Sequence, residues 1–420
     1  MAGRSRDRVE LEAPADLRAA VRARGISDAL LDRALAAGVP LENLWGWLSW
    51  RRMDTADLEA LVRWHERFTT GDLRAREATE GDAAAFTDLW ENSPEEIGDL
   101  EITVLRAPDP FAQFRLQRDV QLNVLADGNV LVASCAWARR KVLIAGRRVT
   151  VRYGQALRVH QGYRRQGLGD AVRLFSAAMS NSVPSMGQYD IMRSGNFAVV
   201  GWWNKHVPGF FDGTPQRDGE VPGIPVAVAQ VPAAARVAAS GAVRAARPED
   251  LPACVELINR SHGDLDLFRP YTVEFLEDRL DEGYWGPRAP WRPSVYGWAD
   301  FFVLESAGRI RACGGLWDRG RDLRERIRQR RTGEVRTFAG TALLDWGFAE
   351  GGEEAMLELV GDLTERTRAL GRDFLLLAVD QTPELAKRLD ALEPAQETRY
   401  LRWNIADPAI TRPYTDLRYW

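Results

Sequence analysis

The chain has 420 residues, with 56 lysines and arginines against 60 aspartates and glutamates, and a net charge of −4. Its length corresponds to two or three domains, and 45% hydrophobic with 28% charged residues is the composition of a folded protein. The near balance of charge disfavours a general nucleic-acid binder, which usually carries a basic excess. Three scattered cysteines exclude a disulfide framework or a zinc cage.

No segment of the sequence is predicted to enter a membrane. The first residues contain no apolar stretch of the kind that a secretory signal needs. The most apolar segment, residues 224–243, is interrupted by prolines, a glutamine and an arginine and is therefore not expected to span a bilayer. No pair of His, Cys or Asp has metal-ligand spacing on one element. We therefore expect a cytoplasmic protein that binds no membrane, no nucleic acid and no metal.

The first part of the chain, residues 1–71, predicts a small helical segment. Two amphipathic stretches, 16–24 and 27–37, are each followed by a glycine, and a third helix is expected to run through Arg67. Its Trp45, Trp47 and Trp50 are interpreted as packing residues.

Two later stretches of the sequence share one plan. Each starts with a short strand and a helix that begins after an aspartate, Asp82 in the first stretch and Asp250 in the second, and each continues into a hairpin. A repeat of such a long period indicates duplication of a domain. The predicted domains are residues 72–231 and 243–405, joined by a linker at 232–242 and followed by a tail at 406–420.

One strand–loop–helix segment of the first copy carries the clearest chemical signal. A strand predicted up to Val159 is followed by the loop Arg-Arg-Gln-Gly-Leu-Gly at residues 164–169 and by a helix from Asp170. Such a turn aims several backbone N–H groups at one point, where the helix dipole stabilises an anion. The two glycines let the backbone approach a phosphate closely, and the two arginines add charge-assisted contacts.

The segment V-H-x-x-Y-R-R-Q-G-L-G at 159–169 resembles motif A of the GCN5-related N-acetyltransferases (GNAT), whose loop has the pattern R/Q-x-x-G-x-G/A. Arg164, Gly167 and Gly169 match every position of that loop. The region from Asn196 through a helix to Pro-Gly-Phe resembles a second conserved part of the family. The second copy resembles the family only loosely. The resemblance implies an α/β (α+β) fold of two tandem GNAT-like mixed-sheet domains preceded by the small helical segment.

The resemblance further implies a site for acetyl-CoA in the first copy. The pyrophosphate of coenzyme A would bind the loop amides, the pantetheine arm would follow the preceding strand, and a backbone N–H near Val159 would polarise the thioester carbonyl. An amine of a small molecule or a peptide would attack directly, so that catalysis is mostly positioning and proton removal. The residues implied to bind the coenzyme are Leu157, Val159, Arg164, Arg165, Gln166, Gly167, Leu168, Gly169, Asp170 and Asn196.

The sequence differs from the family pattern in the group expected to protonate the leaving thiolate. The family often has a tyrosine on the helix after the conserved asparagine, whereas this sequence has Trp202 and Trp203, and an indole N–H is not a usable acid. Either Tyr163 or Tyr189 replaces that tyrosine, or the thiolate leaves without a dedicated acid. A non-catalytic scaffold or sensor that binds acyl-CoA therefore remains the alternative function. Transfer from aminoacyl-tRNA is disfavoured by the net charge of −4.

Three groups are candidates for the base that takes the proton of the acceptor amine. Glu101 is expected in a loop that borders the acceptor, and Asp190 lies on the strand that follows the motif helix. The third candidate is the terminal carboxylate of Trp420, because in some tandem members of the family, such as the myristoyl-transferring enzymes, the end of the chain acts as the base. The aromatic end of this chain is expected to be packed rather than solvated.

The second copy differs from the first in its charge. Its corresponding loop has two glycines, but Glu350, Glu353 and Glu354 surround them, and three carboxylates oppose the binding of a pyrophosphate. We therefore interpret the second copy as a degenerate domain that no longer binds coenzyme A. The basic run 319–331 mixes acids with arginines at helical spacing and predicts a solvated helix face.

Overall fold

The computed structural model describes residues 17–23, 25–37, 39, 44, 55–71, 73–117, 119–180, 187–193, 224–235, 242–282, 295–378, 383–405 and 410–419. The helices in these ranges are α1 (Leu17–Arg22), α2 (Asp28–Ala36), α3 (Thr55–Thr70), α4 (Ala83–Glu91), α5 (Ala112–Arg115), α6 (Leu168–Ser180), α7 (Leu251–His262), α8 (Val273–Glu282), α9 (Arg319–Asp322), α10 (Glu353–Ala369) and α11 (Pro383–Leu389). None of these described helices is both long and apolar enough to cross a membrane.

The strands in the same ranges are β1 (Leu73–Glu77), β2 (Glu95–Ile97), β3 (Leu100–Leu105), β4 (Val120–Asp127), β5 (Val130–Ile144), β6 (Arg147–Val159), β7 (Gly187–Arg193), β8 (Ile224–Pro232), β9 (Ala242–Ala245), β10 (Phe301–Ser306), β11 (Arg309–Trp317), β12 (Arg324–Gln329), β13 (Val335–Phe338), β14 (Gly340–Phe348), β15 (Phe374–Ala378) and β16 (Ala395–Ile405).

The smaller of two compact units contains the helical segment and part of the first copy. Helices α1, α2 and α3 form where the sequence predicts them, and Ser27 caps α2 by accepting a hydrogen bond from the backbone N–H of Leu30. The strands follow the order β1-β4-β5-β6. Leu31 and Val62 share one hydrophobic core with Leu168 of α6, so the helical segment packs on the helix that follows the glycine loop. This unit comprises residues 1–80, 121–137 and 156–185.

The larger unit contains the second copy and the remaining strands of the first. Strand β6 pairs in parallel with β7 from Arg152 to Gly154. From there the strand order is β7-β16-β8-β15-β14-β11-β10-β9, and a separate sheet has the order β13-β12-β3-β2. This unit comprises residues 81–120, 138–155 and 186–420. The domain boundaries inferred from the sequence stay a prediction.

The two copies repeat one topology. The strand order β1-β4-β5-β6-β7 in the first copy corresponds to β9-β10-β11-β14-β15 in the second. In each copy a strand, a helix and a parallel strand follow one another, as β6-α6-β7 and as β14-α10-β15. The strand before each helix carries a non-glycine residue in the left-handed region, Ala156 with φ 55° and Asp345 with φ 50°. These features confirm the predicted fold of two mixed-sheet copies.

The prediction of a helix face over 319–331 is wrong. Only the short α9 is helical, and residues 324–329 form β12, which pairs with β3. The alternating charges make ion pairs: Glu325 contacts Arg193 of β7 at 2.5 Å and Arg319 of α9 at 3.2 Å. Because β3 and Arg193 are distant in sequence from this segment, tertiary pairing overrides the local helical spacing.

Candidate functional site

The glycine loop of the first copy has the backbone conformation of an anion-binding nest. Arg165 and Gly167 both have positive φ, 65° and 77°, and α6 begins at the next residue, Leu168. Backbone N–H groups in such alternating conformations point into one concavity. The first N–H groups of α6 also have no acceptor within the helix, because the hydrogen-bond ladder starts with Ala171 donating to Gly167.

The two loop glycines serve different purposes. A Cβ on Gly167 would lie 3.1 Å from Cζ2 of Trp64 in α3 and would also suffer the strain of a positive φ. A Cβ on Gly169 would lie 3.5 Å from Cγ2 of Val159, which is an ordinary contact. The fold therefore requires glycine at 167, whereas at 169 it accepts a small side chain. Sequence reasoning missed Trp64, because nothing local connects it to a loop a hundred residues later.

Tyr163 is held against the hairpin of the first copy. Its phenol donates a hydrogen bond of 3.0 Å to the carboxylate of Asp127, and this bond raises the pKa of Tyr163 above its ordinary value. Nearby, the backbone N–H of His160 donates to the carbonyl oxygen of Val132 at 2.9 Å. Both bonds connect the start of the loop to the hairpin and so fix the loop at the end of β6.

The other predicted coenzyme residues that the structure describes lie in the loop, on β6 or at the start of α6. Arg164, Arg165 and Gln166 are exposed, as a phosphate site requires, and Leu168 is buried in the core. The remaining residues fall into three groups: Leu157 and Val159 are half-buried on β6, Asp170 is in the first turn of α6, and Asn196 lies outside the described residues.

Tyr189 and Asp190 lie on β7, where it pairs with β6. Tyr189 is opposite Tyr153 and Asp190 is opposite Gly154, which is the last of the described pairs between these strands. Tyr189 is 2% exposed, its ring centroid is 5.0 Å from that of Tyr153, and its hydroxyl accepts a hydrogen bond from Arg140. Asp190 is half-buried.

Glu101 lies in a strand and not in the loop that the sequence predicts. It is half-buried in β3, opposite Glu96 of β2 on one side and opposite Arg328 of β12 on the other. The loop expectation is therefore corrected: the glycine of Ile-Gly-Asp-Leu makes the β2–β3 turn, with Gly98 at φ 59°. Glu101 thus belongs to a separate small sheet of the larger unit.

The last described residues of the chain are buried in the larger unit. The carbonyl oxygen of Arg418 accepts hydrogen bonds from the side-chain amides of Gln113 at 3.1 Å and Gln117 at 2.9 Å. The amide of Gln117 also donates to that of Gln155 at 3.1 Å. Gln155 follows Gly154 in β6, so this network connects the chain end to the strand at the point where its described pairing with β7 stops. Trp420 itself lies outside the described residues.

The side chain of Arg418 occupies the second copy. Its guanidinium lies 2.7 Å from the carboxylate of Asp345, the left-handed residue of β14, and 2.7 Å from that of Asp416. Burial raises the pKa of Asp345, but Arg279 and Arg418 outweigh this effect and hold it well below its ordinary value. The chain end therefore contacts Asp345 of β14. This residue corresponds to Ala156 of β6, the left-handed residue of the first copy. No local sequence pattern indicates these contacts.

The loop of the second copy keeps its acidic surroundings in the fold. Gly351 has φ 62°, and α10 begins two residues later with Glu353 and Glu354 in its first turn. Glu354 contacts Arg388. Glu350 and Glu354 are exposed and Glu353 is half-buried, and two of these carboxylates are in the first turn of α10, the helix start that a phosphate would approach.

Comparison with known proteins finds similarity at the level of structure. No protein-family profile and no curated protein sequence matches the chain. A structure of Saccharomyces cerevisiae N-myristoyltransferase with bound myristoyl-CoA is similar over 79% of this chain and 83% of its own, with 13% identity and a TM-score of 0.54. A second structure of that enzyme, with bound myristoyl-CoA and inhibitors, is similar over 81% and 84%, with 14% identity and a TM-score of 0.50. The chain therefore shares the fold of these structures, which is a tandem GNAT fold.

Proposed function

We propose that this protein is an acyl-CoA-dependent N-acyltransferase that transfers an acyl group, acetyl in the simplest case, to an amine of a small molecule or a peptide. The observation that carries the proposal is the nest formed by Arg165 and Gly167 at the start of α6, flanked by the exposed Arg164. A nest, a helix N-terminus and two guanidinium groups together fit a pyrophosphate.

In this proposal the loop and β6 bind acyl-CoA, which supplies an activated acyl thioester. The amides of residues 166–169 hold the pyrophosphate, and Leu157 to Val159 lie along the pantetheine arm. The half-buried Leu157 and Val159 are suited to this contact because each keeps one side on the core and leaves the other accessible. A backbone N–H near Val159 polarises the thioester carbonyl as the amine attacks.

We assign removal of the amine proton to the terminal carboxylate of Trp420. The support is the hydrogen-bond network of Gln113 and Gln117, which holds the carbonyl of Arg418 beside Gln155. Glu101 is a less favourable candidate because its strand neighbours on the small sheet include Arg328. Asp190 and the buried Tyr189 stay candidates for proton transfer on β7.

The decisive experiment is titration of the purified chain with acetyl-CoA and with myristoyl-CoA, followed by measurement of thiol release in the presence of a panel of amines. Binding together with amine-dependent release of coenzyme A is the expected result, with the preferred donor reporting the acyl length. Binding without any thiol release would instead favour the scaffold or sensor. If neither donor binds, both the acyltransferase and the scaffold or sensor function are overturned.

A further inference from the structure

A row of arginines lies on one face of the small sheet, which has the strand order β13-β12-β3-β2 and belongs to the larger unit. Arg324, Arg326 and Arg328 alternate along β12, so their side chains share one face of the sheet. Glu325, on the opposite face, contacts Arg193 of β7. We call the three residues the arginine row, and it faces away from β7.

The arginine row has no ionic partner. Arg330, in the turn of the same hairpin, pairs with Glu96 at 2.5 Å, whereas no ion pair or hydrogen bond within the described part of the chain reaches a guanidinium group of the row. Glu101 is opposite Arg328 on β3, but the two side chains form no ion pair. The Nε of Arg324 is buried without a hydrogen-bond partner. A face with three such charges favours an anionic partner.

The arginine row is open on the side of β13. Arg326 lies between Thr103 of β3, which is 2% exposed, and Thr337 of β13, which is exposed. Val335, opposite Arg328 on β13, is 52% exposed. A partner therefore reaches the row over β13, whose side chains on this face are short.

Strand β13 also offers free backbone groups. It has β12 on one side and no described strand on the other. The backbone N–H of Gln329 donates to the carbonyl oxygen of Glu334, which fixes the alternation of the β12–β13 pairing. The N–H and C=O groups of Val335 and Thr337 therefore point outwards, to the free edge. Such an edge can accept one further strand.

We propose that the small sheet docks an acidic, extended segment of a partner protein, which adds as a strand to β13 and places carboxylates against the arginine row. Side chains on one face of a strand repeat about every 7 Å, so a carboxylate at every second residue matches the spacing of the row. The added strand lies about 10 Å from β12, and long arginine stems can cross the short side chain of Thr337. This docking is independent of the proposed function because it needs no acyl-CoA.

A single-stranded nucleic acid is the competing anionic partner, and this face suits it less well. Such ligands gain affinity from bases that stack on aromatic side chains. The described strand neighbours of the row on β3 and β13 contain no aromatic residue: Leu105, Thr103, Glu101, Thr337 and Val335. This face supplies charge without a stacking platform, and the free edge of β13 matches a peptide backbone.

The first test titrates the full chain with three octapeptides and one oligonucleotide. The probes are alternating glutamate and valine, alternating glutamine and valine, four glutamates followed by four valines, and a single strand of eight thymidines. We expect the alternating acidic peptide to bind at least about tenfold more tightly than each of the others. Equal affinity of either other peptide would overturn the match of charge and spacing, and tighter binding of the oligonucleotide would overturn the choice of partner.

The second test changes the arginine row. Arg326→Gln and Arg328→Gln are each expected to weaken the alternating acidic peptide about threefold, and the double variant about tenfold, because each removes one exposed ion pair. The matched control is Arg260→Gln, which removes an exposed arginine paired with Glu256 on α7 and should leave the affinity unchanged. Unchanged affinity in the double variant would contradict the proposal.

The third test concerns the free edge of β13. Thr337→Pro removes an outward N–H without breaking a hydrogen bond of the β12–β13 pair and should weaken the acidic peptide at least about tenfold. Thr337→Val keeps that N–H and should hold the affinity within about twofold. Methylating the backbone nitrogens of the peptide tests the same contact without changing the protein and should also weaken binding at least about tenfold. Full affinity of the methylated peptide would show that no strand is added and would overturn the proposal.

Discussion

The side-chain amide of Gln117 donates a hydrogen bond of 2.9 Å to the carbonyl oxygen of Arg418, although the two residues are 301 positions apart in the chain. Gln113 donates a second bond to the same oxygen at 3.1 Å. Two buried donors on one carbonyl fix the backbone at Arg418, beside the residues to which the proposed base is assigned.

Deleting Tyr419 and Trp420 is expected to lower kcat by about a hundredfold or more, the usual contribution of a general base, and to leave the affinity for acyl-CoA within about threefold. Steady-state kinetics and calorimetry on the folded variant measure the two effects. Appending two glycines after Trp420 should have the same effect because it moves the carboxylate, whereas Trp420→Phe should not. Full turnover in the truncated enzyme would exclude the terminal carboxylate, and Glu101 would become the preferred base.

Substitutions of the two loop glycines are expected to differ. Gly167→Asp introduces a Cβ 3.1 Å from Trp64, strains a φ of 77° and adds negative charge to the nest, so the affinity for coenzyme A should fall by about a hundredfold or more. Gly169→Ala adds only an ordinary contact with Val159 and should keep the affinity within about threefold. Isothermal titration of both variants is the measurement. Similar affinities for the two would mean that the nest is not the phosphate site.

One coenzyme is expected to bind per chain. The second-copy loop is surrounded by Glu350, Glu353 and Glu354, and the side chain of Arg418 occupies the irregular position of β14 at Asp345. Native mass spectrometry with saturating acyl-CoA should therefore show a single bound coenzyme, which the variant Gly167→Asp loses. Two coenzymes on the unmodified chain would contradict the interpretation of the second copy.

Much of the fold can be predicted from local pattern, because the glycine loops, the apolar periodicity and the hairpin turns are all short-range signals. The loop of residues 164–169 and the repeat of the whole plan belong to this class. The failures are long-range. No local pattern in residues 319–331 predicts that β12 pairs with β3. Likewise, no local pattern around Trp64 predicts that it lies close to Gly167. Contacts of Arg418 with Asp345 and Gln117 likewise depend on tertiary structure alone.

Removing the buried guanidinium of Arg418 is expected to destabilise the protein strongly. Arg418→Met leaves Asp345 and Asp416 buried without one of their partners, and the loss of one member of a buried ion pair costs about 3–5 kcal/mol. Arg412→Met breaks an exposed pair with Asp264 and should cost about 1 kcal/mol or less. Urea unfolding at neutral pH compares the two. Equal destabilisation would show that the network around Asp345 contributes little.

His262 is expected to make stability fall as the pH is lowered. Complete burial lowers its pKa to about 4, although its Nε2 lies 2.8 Å from the carbonyl oxygen of Trp346. Since the pKa of a histidine in the unfolded chain is about 6.5, the stabilisation that the neutral His262 gives the folded protein is complete above pH 6.5. It is lost as the pH falls towards 4. The free energy of unfolding should drop by about 2 kcal/mol between pH 7.5 and pH 5 from this group alone.

The control for this pH dependence is His262→Gln, which has no titratable group at this position and keeps an amide that can donate to Trp346. Urea unfolding of both proteins at the two pH values isolates the histidine, because other groups titrate alike in each. The buried carboxyl of Asp345 has a lowered pKa and loses its contribution only at more acidic pH. An equal pH slope in the two proteins would refute the assignment to His262.

The pairing of β7 has a consequence for synthesis of the protein. Its antiparallel partner is β16, with Arg193 opposite Arg399, so the two strands are more than 200 residues apart in the chain. A ribosome delivers the N-terminal part first, and β7 emerges with one edge unpaired until β16 has been made. Exposed strand edges invite incorrect pairing with other chains. The nascent protein therefore has a long interval of vulnerability to aggregation, during which a chaperone that shields strand edges would raise its yield.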